Sequence, residues 1–260
     1  MESVVYATIF LAGLAAGSFL NVVIHRGPVM WKLADGEARG NLIGPRSYCP
    51  ACKTTLAASS LIPVVSYLAQ RARCAACGAK ISARYPVVEL LGALSALLSV
   101  LAFGLSPAAL VSTLFGLALI ALAFIDAETG YLPDAITLPL IAVGLAANGF
   151  GIFISLRDAA IGAGAGFLIF SAIGVAYERL RGKEGLGLGD AKLLAAIGAF
   201  GGWMILPAVV FVAALGTLAA LGVYALMASA PGRDQPVPFG PGLCAAGFAV
   251  LIGERLFSGL

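Results

Sequence analysis

Charge is what this chain has least of. Asp, Glu, Lys and Arg make up 11% of its 260 residues, against 60% hydrophobic residues, and histidine occurs once, at His25. An ordinary soluble domain carries about 25% charged residues, so a water-exposed globular surface is excluded. The lone histidine leaves no convincing serine–histidine arrangement for covalent catalysis. Basic residues are missing from Met1-Glu2-Ser3, where a cleaved signal peptide would carry them, so the apolar run 4–24 is expected to be retained as a first helix.

What the chain has instead is apolar length. Mean hydropathy is +1.00, and runs near twenty residues recur along the sequence, the signature of transmembrane helices. The expected fold is an all-α polytopic membrane protein with about eight spans, near 4–24, 86–104, 107–125, 135–155, 159–177, 191–206, 207–228 and 239–256, the border between the sixth and seventh falling around Pro207. Nine of the sixteen Lys and Arg lie between Arg26 and Arg84, and Arg179, Arg181 and Lys183 follow the fifth span. The positive-inside rule puts both segments in the cytoplasm. The expected organisation is a first helix (1–24), a cytoplasmic loop domain (25–85) and a membrane domain (86–260). The net charge of +3 is explained by this topology and by attraction to anionic lipid, with no nucleic-acid partner implied.

Two carboxylates stand out against this background. Asp126 closes the run L-F-G-L-A-L-I-A-L-A-F-I-D, and Asp190 opens D-A-K-L-L-A-A-I-G after the glycine-spaced stretch from Gly185 to Gly189. Ionisable groups at membrane depth cost roughly 2.5–3.5 kcal/mol at a helix centre and are retained for a task. Asp126 follows the C-terminal end of its run, where the helix dipole disfavours negative charge. Asp134 and Asp158 sit where N-caps are expected, and capping is a sufficient account of both. Asp190 is ambiguous alone, being either a cap or half of an acid–base pair. Gly187 and Gly189 would let a peptide approach it closely, and Lys192 joins them as a candidate supporting residue. Two neighbouring carboxylates cannot both ionise easily, so one can polarise a scissile carbonyl while its partner activates water.

The second strong pattern is Cys49-Pro50-Ala51-Cys52, then twenty-one residues, then Cys74-Ala75-Ala76-Cys77-Gly78. Paired C-x-x-C knuckles at this spacing are the sequence form of a four-thiolate zinc site, and Gly78 supplies a tight turn after the second. Two disulfides are the alternative, disfavoured in a reducing cytoplasmic loop. Four ligands leave no open position, so the metal would be structural. The intervening L-I-P-V-V-S-Y-L, Leu61 to Leu68, is too short to span and is expected to pack on the zinc module or the membrane interface. Cys244, in the last span, reads as a packing residue.

On the first span Ser18, Asn21 and His25 are spaced by three and four and share a face. Interhelical packing helped by Gly13 and Gly17 is one reading, and a groove for substrate or a methyl donor is the other. Glu89, at the inner end of the second span, either snorkels to the interface or joins that groove.

Together these blocks resemble the bifunctional type IV prepilin peptidase and N-methyltransferase family of G-x-G-D aspartic peptidases. The resemblance is carried by G-S-F-L-N-V-V-I-H-R (17–26), R-S-Y-C-P-A-C (46–52), L-I-P-V-V-S-Y (61–67), R-Y-P-V-V-E-L-L (84–91), F-I-D-A-E-T-G-Y-L-P-D (124–134), G-L-G-D-A-K-L-L-A-A-I-G-A (187–199) and P-F-G-P (238–241). It implies an intramembrane aspartic dyad of Asp126 and Asp190 in the bacterial inner membrane. The substrates it implies are prepilins of type IV pili or pseudopilins of type II secretion, whose leaders are cleaved at the cytoplasmic face. The new N-terminal amine is then methylated from S-adenosylmethionine, with Asn21, His25 and Glu89 as candidate methyl-transfer residues and 25–85 as the methyltransferase region. No glycine-rich Rossmann unit marks the donor site. Gly27, before Pro28, departs from the larger apolar residue usual in the family. A proton-coupled transporter would also place carboxylates in a bundle but predicts broken helices and repeat symmetry, neither of which is seen clearly. A zinc-dependent scaffold without activity would leave Asp126 unexplained.

Overall fold

The computed structural model describes residues 2–36, 40–182, 187–227 and 238–258. Lys183 and Gly185, named in the patterns above, and Arg39, one of the nine basic residues of the first loop, lie outside the described residues. Eight long helices follow the expected order: α1 (Glu2–Met30), α3 (Arg84–Phe103), α4 (Pro107–Thr129), α5 (Asp134–Gly149), α6 (Leu156–Arg181), α7 (Leu188–Gly201), α8 (Leu206–Met227) and α9 (Gly240–Ser258). A short helix, α2 (Val65–Ala69), lies in the first loop. No strand occurs among the described residues, where pairing is limited to two isolated bridges.

Six of these helices, α1, α3, α4, α6, α8 and α9, are long and apolar enough to cross a membrane. The 16-residue α5 and 14-residue α7 are shorter. At 1.5 Å per residue α7 reaches about 21 Å, less than the roughly 30 Å hydrocarbon core. The sixth run therefore ends earlier than its hydropathy suggests. Gly202 caps α7 with φ 82° and ψ −176°, a conformation glycine tolerates and other residues resist. Pro207, the expected border, is the second residue of α8, where a missing N–H costs little.

The chain divides into two compact units, Met1–Ala121 and Leu122–Leu260, with the boundary inside α4. In the first, α1 and α3 pack through glycine. A Cβ at Gly13 would lie 2.6 Å from Ala93 Cα, one at Gly17 2.7 Å from Glu89 Cα, and one at Gly92 2.7 Å from the Gly13 carbonyl. Small residues let helix backbones meet where apolar burial alone gives no drive to associate. Gly27 has its own reason: the Trp31 ring folds back onto it, and a Cβ would sit 2.5 Å from Cζ3. Just beyond, the buried Arg26 guanidinium donates to the carbonyls of Asn41 and Pro45, both at 2.7 Å, pinning the start of the loop.

In the second unit α7 is the hub. Nine of its residues, Ala191 and Leu193 to Phe200, are buried, as expected of a helix apolar all round. It packs against α5, α6 and α9, meeting α6 where Gly162 faces Gly198 and Gly166 faces Leu194. Asn148, near the end of α5, locks this arrangement. Its Nδ2 donates to the carbonyls of Ala199 (2.8 Å) and Phe200 (3.1 Å), and its Oδ1 accepts from the amides of Phe153 (3.2 Å) and Ile154 (3.0 Å). One buried side chain thus satisfies an α7 terminus and the α5–α6 turn. Asp158 and Asp134 are not the N-caps expected. Ser155 caps α6, its hydroxyl accepting from the Asp158 amide and donating to Asp158 Oδ2 at 2.6 Å, because the helix starts three residues earlier. Asp158 Oδ1 also accepts from Trp203 Nε1. Asp134 is the first residue of α5 after Pro133, and Lys192 Nζ binds both its oxygens at 2.6 and 2.8 Å.

Two interhelical bonds to α7 and two more to the α5–α6 turn, at about 0.6 kcal/mol each, put the Asn148 lock near 2.5 kcal/mol. Asn148→Leu is expected to destabilise the detergent-solubilised protein by about that amount, read by thermal or denaturant unfolding, whereas Asn148→Asp keeps the acceptor and loses less of the turn.

Candidate active site and metal centre

Asp126 lies in the last turn of α4, 6% exposed, one turn after the buried Leu122 and beside Ile125. Its Oδ2 is buried with no hydrogen-bond partner among the described residues. The first residue of α9 closes over it: a Cβ at Gly240 would come within 2.5 Å of that oxygen, and the Gly240 amide lies close to the carboxylate. Phe239 is held in turn by the α6 ring of Phe170, with centroids 6.4 Å apart.

Asp190 is half-buried at the third position of α7, whose N-cap is Gly187. Its carboxylate takes a hydrogen bond from the Gly187 backbone, the reach-back half of a capping box. The capping role and the catalytic role are therefore compatible, and the α7 N-terminus also favours negative charge there. The two aspartates are brought together: the Asp126 charge acts on Asp190, and both act on the buried Cys244 thiol one turn into α9. The two glycines differ in what they allow. A Cβ at Gly189 would press to 3.1 Å from Leu132 Cβ, so this glycine lets α7 start against the α4–α5 link. At Gly187, with φ −72°, a Cβ would meet nothing nearer than Asp190 Oδ2 and Gly189 N, both at 3.8 Å, among the described residues. Lys192 faces Asp134 rather than the dyad, tying the starts of α5 and α7. Gly240 was quoted above only within P-F-G-P and given no role. A glycine between two prolines at a helix start, where no turn requires it, was the available signal.

In the first unit the four cysteines converge. Their sulfurs lie within 4.8 Å of one another, Cys49 and Cys77 at 3.9 Å, and none is bridged. A tetrahedral Zn–S distance of about 2.3 Å requires sulfurs about 3.8 Å apart. The donor set and spacing therefore fit a metal ion. The two knuckles are copies of one another. Cys49 N–H bonds to Thr54 O and Cys74 N–H to Ala79 O; Lys53 N–H returns to Cys49 O and Gly78 N–H to Cys74 O, each at 2.8 Å. The bridges Tyr48–Thr55 and Arg73–Lys80 close the two hairpins at the same offset. Both turns need positive φ four residues after the first cysteine, supplied by Gly78 (73°) and, without glycine, by Lys53 (59°). Thr54, through its hydroxyl and amide, holds the Cys52 thiol down at about 6. At Cys77 the Ala79 amide acts the same way but is outweighed by Cys52, desolvation and the other thiols, which push it up to about 11. Four clustered thiols cannot all ionise without a cation among them.

The polar stripe of α1 meets α3. Asn21, 4% exposed, donates through Nδ2 to Tyr85 O at 3.1 Å, and the Ser18 hydroxyl bonds to the Glu89 carboxylate. Glu89 does not snorkel. It is buried, and its Oε2 accepts the Val64 amide at 2.7 Å, tethering the 61–68 segment to α3. Leu61, Ile62, Val65 and Leu68 of that segment stay exposed, as a membrane-interface surface would. His25, half-buried, lies one turn beyond Asn21 on α1.

Helices of membrane length, a buried carboxylate near a half-buried one, and four converging thiols define an integral membrane protein. The chain belongs to the type IV leader peptidase family, whose description matches residues 113–223, while that of the bacterial peptidase A24 N-terminal domain matches 11–103. It is 47% identical to a prepilin leader peptidase/N-methyltransferase of Burkholderia pseudomallei (strain K96243), over 92% of this chain and 82% of that one. It is 44% identical to the protein of that name from Aeromonas hydrophila and 43% to that from Pseudomonas aeruginosa, each over 95% of this chain and 90% of the relative. No solved structure matches it. The transporter reading finds no support here.

The knuckle copies differ in what glycine does for them. At Lys53 the cost of positive φ, about 1 kcal/mol, is offset by its ammonium lying 5.6 Å from the Tyr48 ring centroid, an exposed contact worth about 0.5–1 kcal/mol. Lys53→Gly should leave metal retention against a chelator nearly unchanged, while Gly78→Lys weakens it about fivefold. Elemental analysis should find about one metal ion per chain, lost in Cys74→Ser/Cys77→Ser. Acidification should release it as the ligands protonate.

Proposed function

We propose that this chain removes the leader of type IV prepilins or type II secretion pseudopilins at the cytoplasmic face of the bacterial inner membrane. It then methylates the exposed amine with S-adenosylmethionine. The observation that carries the peptidase half is the pairing of Asp126, whose buried Oδ2 under Gly240 has no partner among the described residues, with Asp190, on which the Asp126 charge acts.

Hydrolysis by such a pair needs one proton between two carboxyl groups. Coulomb repulsion and the unfavourable α4 C-terminus resist a second negative charge, while the α7 N-terminus favours the first. The protonated carboxyl polarises the scissile carbonyl, and the carboxylate takes a proton from the attacking water; the proton on the first then follows the carbonyl oxygen or the leaving amine. The Gly240 and Gly187 amides orient the two carboxyls. Lys192 and Asp134 act as positioning residues, holding the start of α7 to that of α5.

The four-cysteine loop supports a structural zinc ion bound by Cys49, Cys52, Cys74 and Cys77, which would fold two hairpins too small to hold themselves. Bound metal there supplies cross-linking and no open coordination position. Methyl transfer is assigned to the first unit, where the loop and the α1–α3 pair bring Asn21, Glu89 and Ser18 together. The positive-inside pattern supports the cytoplasmic side.

Asp126→Asn and Asp190→Asn should each reduce cleavage of a full-length prepilin by roughly 10³-fold or more while the protein still inserts. Near-normal processing by either variant, followed by mass spectrometry, overturns the dyad. Gly240→Val should push the Asp126 carboxyl aside and lower cleavage about 100-fold, as expected of a shift near 1 Å. Methylation of pre-cleaved pilin should survive in all three.

A further inference from the structure

The link between Glu89 and the loop is a strained one. Val64 adopts φ 59° and ψ −48°, with the Val65 amide bonded back to the Pro63 carbonyl. This is a γ-turn of the rare positive-φ kind, on a β-branched residue that resists it. Such backbone persists only where its surroundings impose it, and it clusters at ligand clamps and switch segments. The group that imposes it is Glu89, whose Oε2 accepts the Val64 N–H at 2.7 Å.

Beside this carboxylate is an acceptor waiting for a donor. Asn21 is 4% exposed; its Nδ2 is committed to Tyr85 O and Gly17 O, and its Oδ1 has no partner among the described residues. Tyr85 precedes Glu89 by one helical turn, and Gly17 precedes Asn21 by one. A Cβ at Gly17 would lie 2.7 Å from Glu89 Cα. Glu89 lies level with Gly17 and Asn21 level with Tyr85, so the two side chains stand on adjacent turns of one interface. One nitrogen donating two bonds of 2.7–3.2 Å at a tetrahedral angle bridges acceptors about 4.4–5.2 Å apart, the scale of side chains on adjacent turns.

We propose that Glu89 and Asn21 Oδ1 form the receptor for the free N-terminal amine of the cleaved pilin, and that the Val64 N–H occupies it at rest. This rests on the methyl-transfer half of the function proposed above. The incoming ammonium displaces the Val64 amide, releases the turn from its strained conformation and gives one proton to the Glu89 carboxylate. Asn21 Oδ1 holds a remaining N–H, which aims the nitrogen lone pair. The nitrogen forms its bond to the methyl carbon as the carbon–sulfur bond of the sulfonium donor breaks, the electron pair remaining on sulfur. The product leaves as a secondary ammonium, and the proton on Glu89 passes to water. Ser18, bonded to the same carboxylate, is a positioning residue.

The plain alternative is that Glu89 and Asn21 only tie the loop to the α1–α3 pair. Hydrogen exchange separates the two readings in the full-length enzyme, without any methyl donor. Saturating pre-cleaved pilin should speed exchange of the Val64 amide at least about tenfold, whereas the same pilin with an acetylated N-terminus should not. With the donor supplied, Glu89→Gln, which keeps an acceptor for Val64 N–H, should lower methylation of pre-cleaved pilin about 100-fold. Asn21→Ala should raise KM for the acceptor about tenfold with little change in kcat, for one lost hydrogen bond. Leader cleavage and metal content serve as folding controls. Unchanged Val64 exchange with the free-amine pilin, or wild-type methylation by Glu89→Gln, overturns the proposal. Should the wild-type enzyme cleave but never methylate, the methyl-transfer half of the function fails, and the exchange experiment still decides whether the amine is bound. Should both variants lose metal and cleavage, exchange in the wild-type enzyme decides alone.

Discussion

The second unit is organised by the problem of keeping a carboxylate where water is scarce. Asp126 is buried, one oxygen has no partner among the described residues, and the charge next to it is of its own sign. An arginine would have been the stabilising neighbour, and it would have locked the pair in the doubly ionised state. Backbone amides of two glycines take that place. They contribute partial charge at fixed positions without a side chain between the carboxyls and a substrate. The chain therefore keeps Gly240 where any Cβ would strike Asp126 Oδ2, and Gly187 where a Cβ would only touch the Asp190 carboxylate at van der Waals distance. The first glycine is a packing necessity and the second a matter of access.

That arrangement places demands on the rest of the unit. A helix N-terminus must reach Asp190 from one side and a helix C-terminus carry Asp126 from the other, so α7 cannot be displaced by even a fraction of a turn. Three independent ties hold it: glycine contacts with α6 along its length, the Asn148 lock at its C-terminus and the Lys192–Asp134 ion pair at its start. The ion pair is exposed enough that its energy is small, about 0–1 kcal/mol, and its value is geometric. The two bonds from Asn148 to α7 are buried and carry more. The first unit solves a different problem, since its loop is polar and short of apolar residues to bury. Two copies of one hairpin, whose four sulfurs converge at a spacing that fits a metal ion, stand where a core would be.

Much of this was legible beforehand because it is written in local patterns. Apolar run length located all eight long helices, two Cys-x-x-Cys knuckles located the four thiols that converge, and a carboxylate at the wrong end of a helix singled out Asp126. What escaped were features that depend on which elements meet. Asn148 looks like an unremarked polar residue near a helix end until α7 is placed against it. Asp134 and Asp158 look like N-caps because capping is judged from neighbours in sequence; Ser155 and Lys192, the partners that define their roles, are three and fifty-eight residues away. Gly240 is marked locally only by its setting in P-F-G-P, which cannot name a contact with a side chain more than one hundred residues earlier. Hydropathy also overran α7, because averaging across Gly201-Gly202 cannot see a backbone that turns through positive φ.

Glu89 shows why burial outranks position in such readings. A glutamate near the start of a membrane helix can reach the interface, and its length suits snorkelling. Here it is turned inward against α1, because glycines at 13, 17 and 92 bring the two backbones too close for the side chain to be merely a spacer. Its partners are a hydroxyl and a strained amide, both neutral. A purely structural tie would be served as well by glutamine, with no charge to desolvate, and would not require valine to adopt positive φ. Retaining a carboxylate there is costly for architecture alone. The cost is accounted for once the group has a cation to receive.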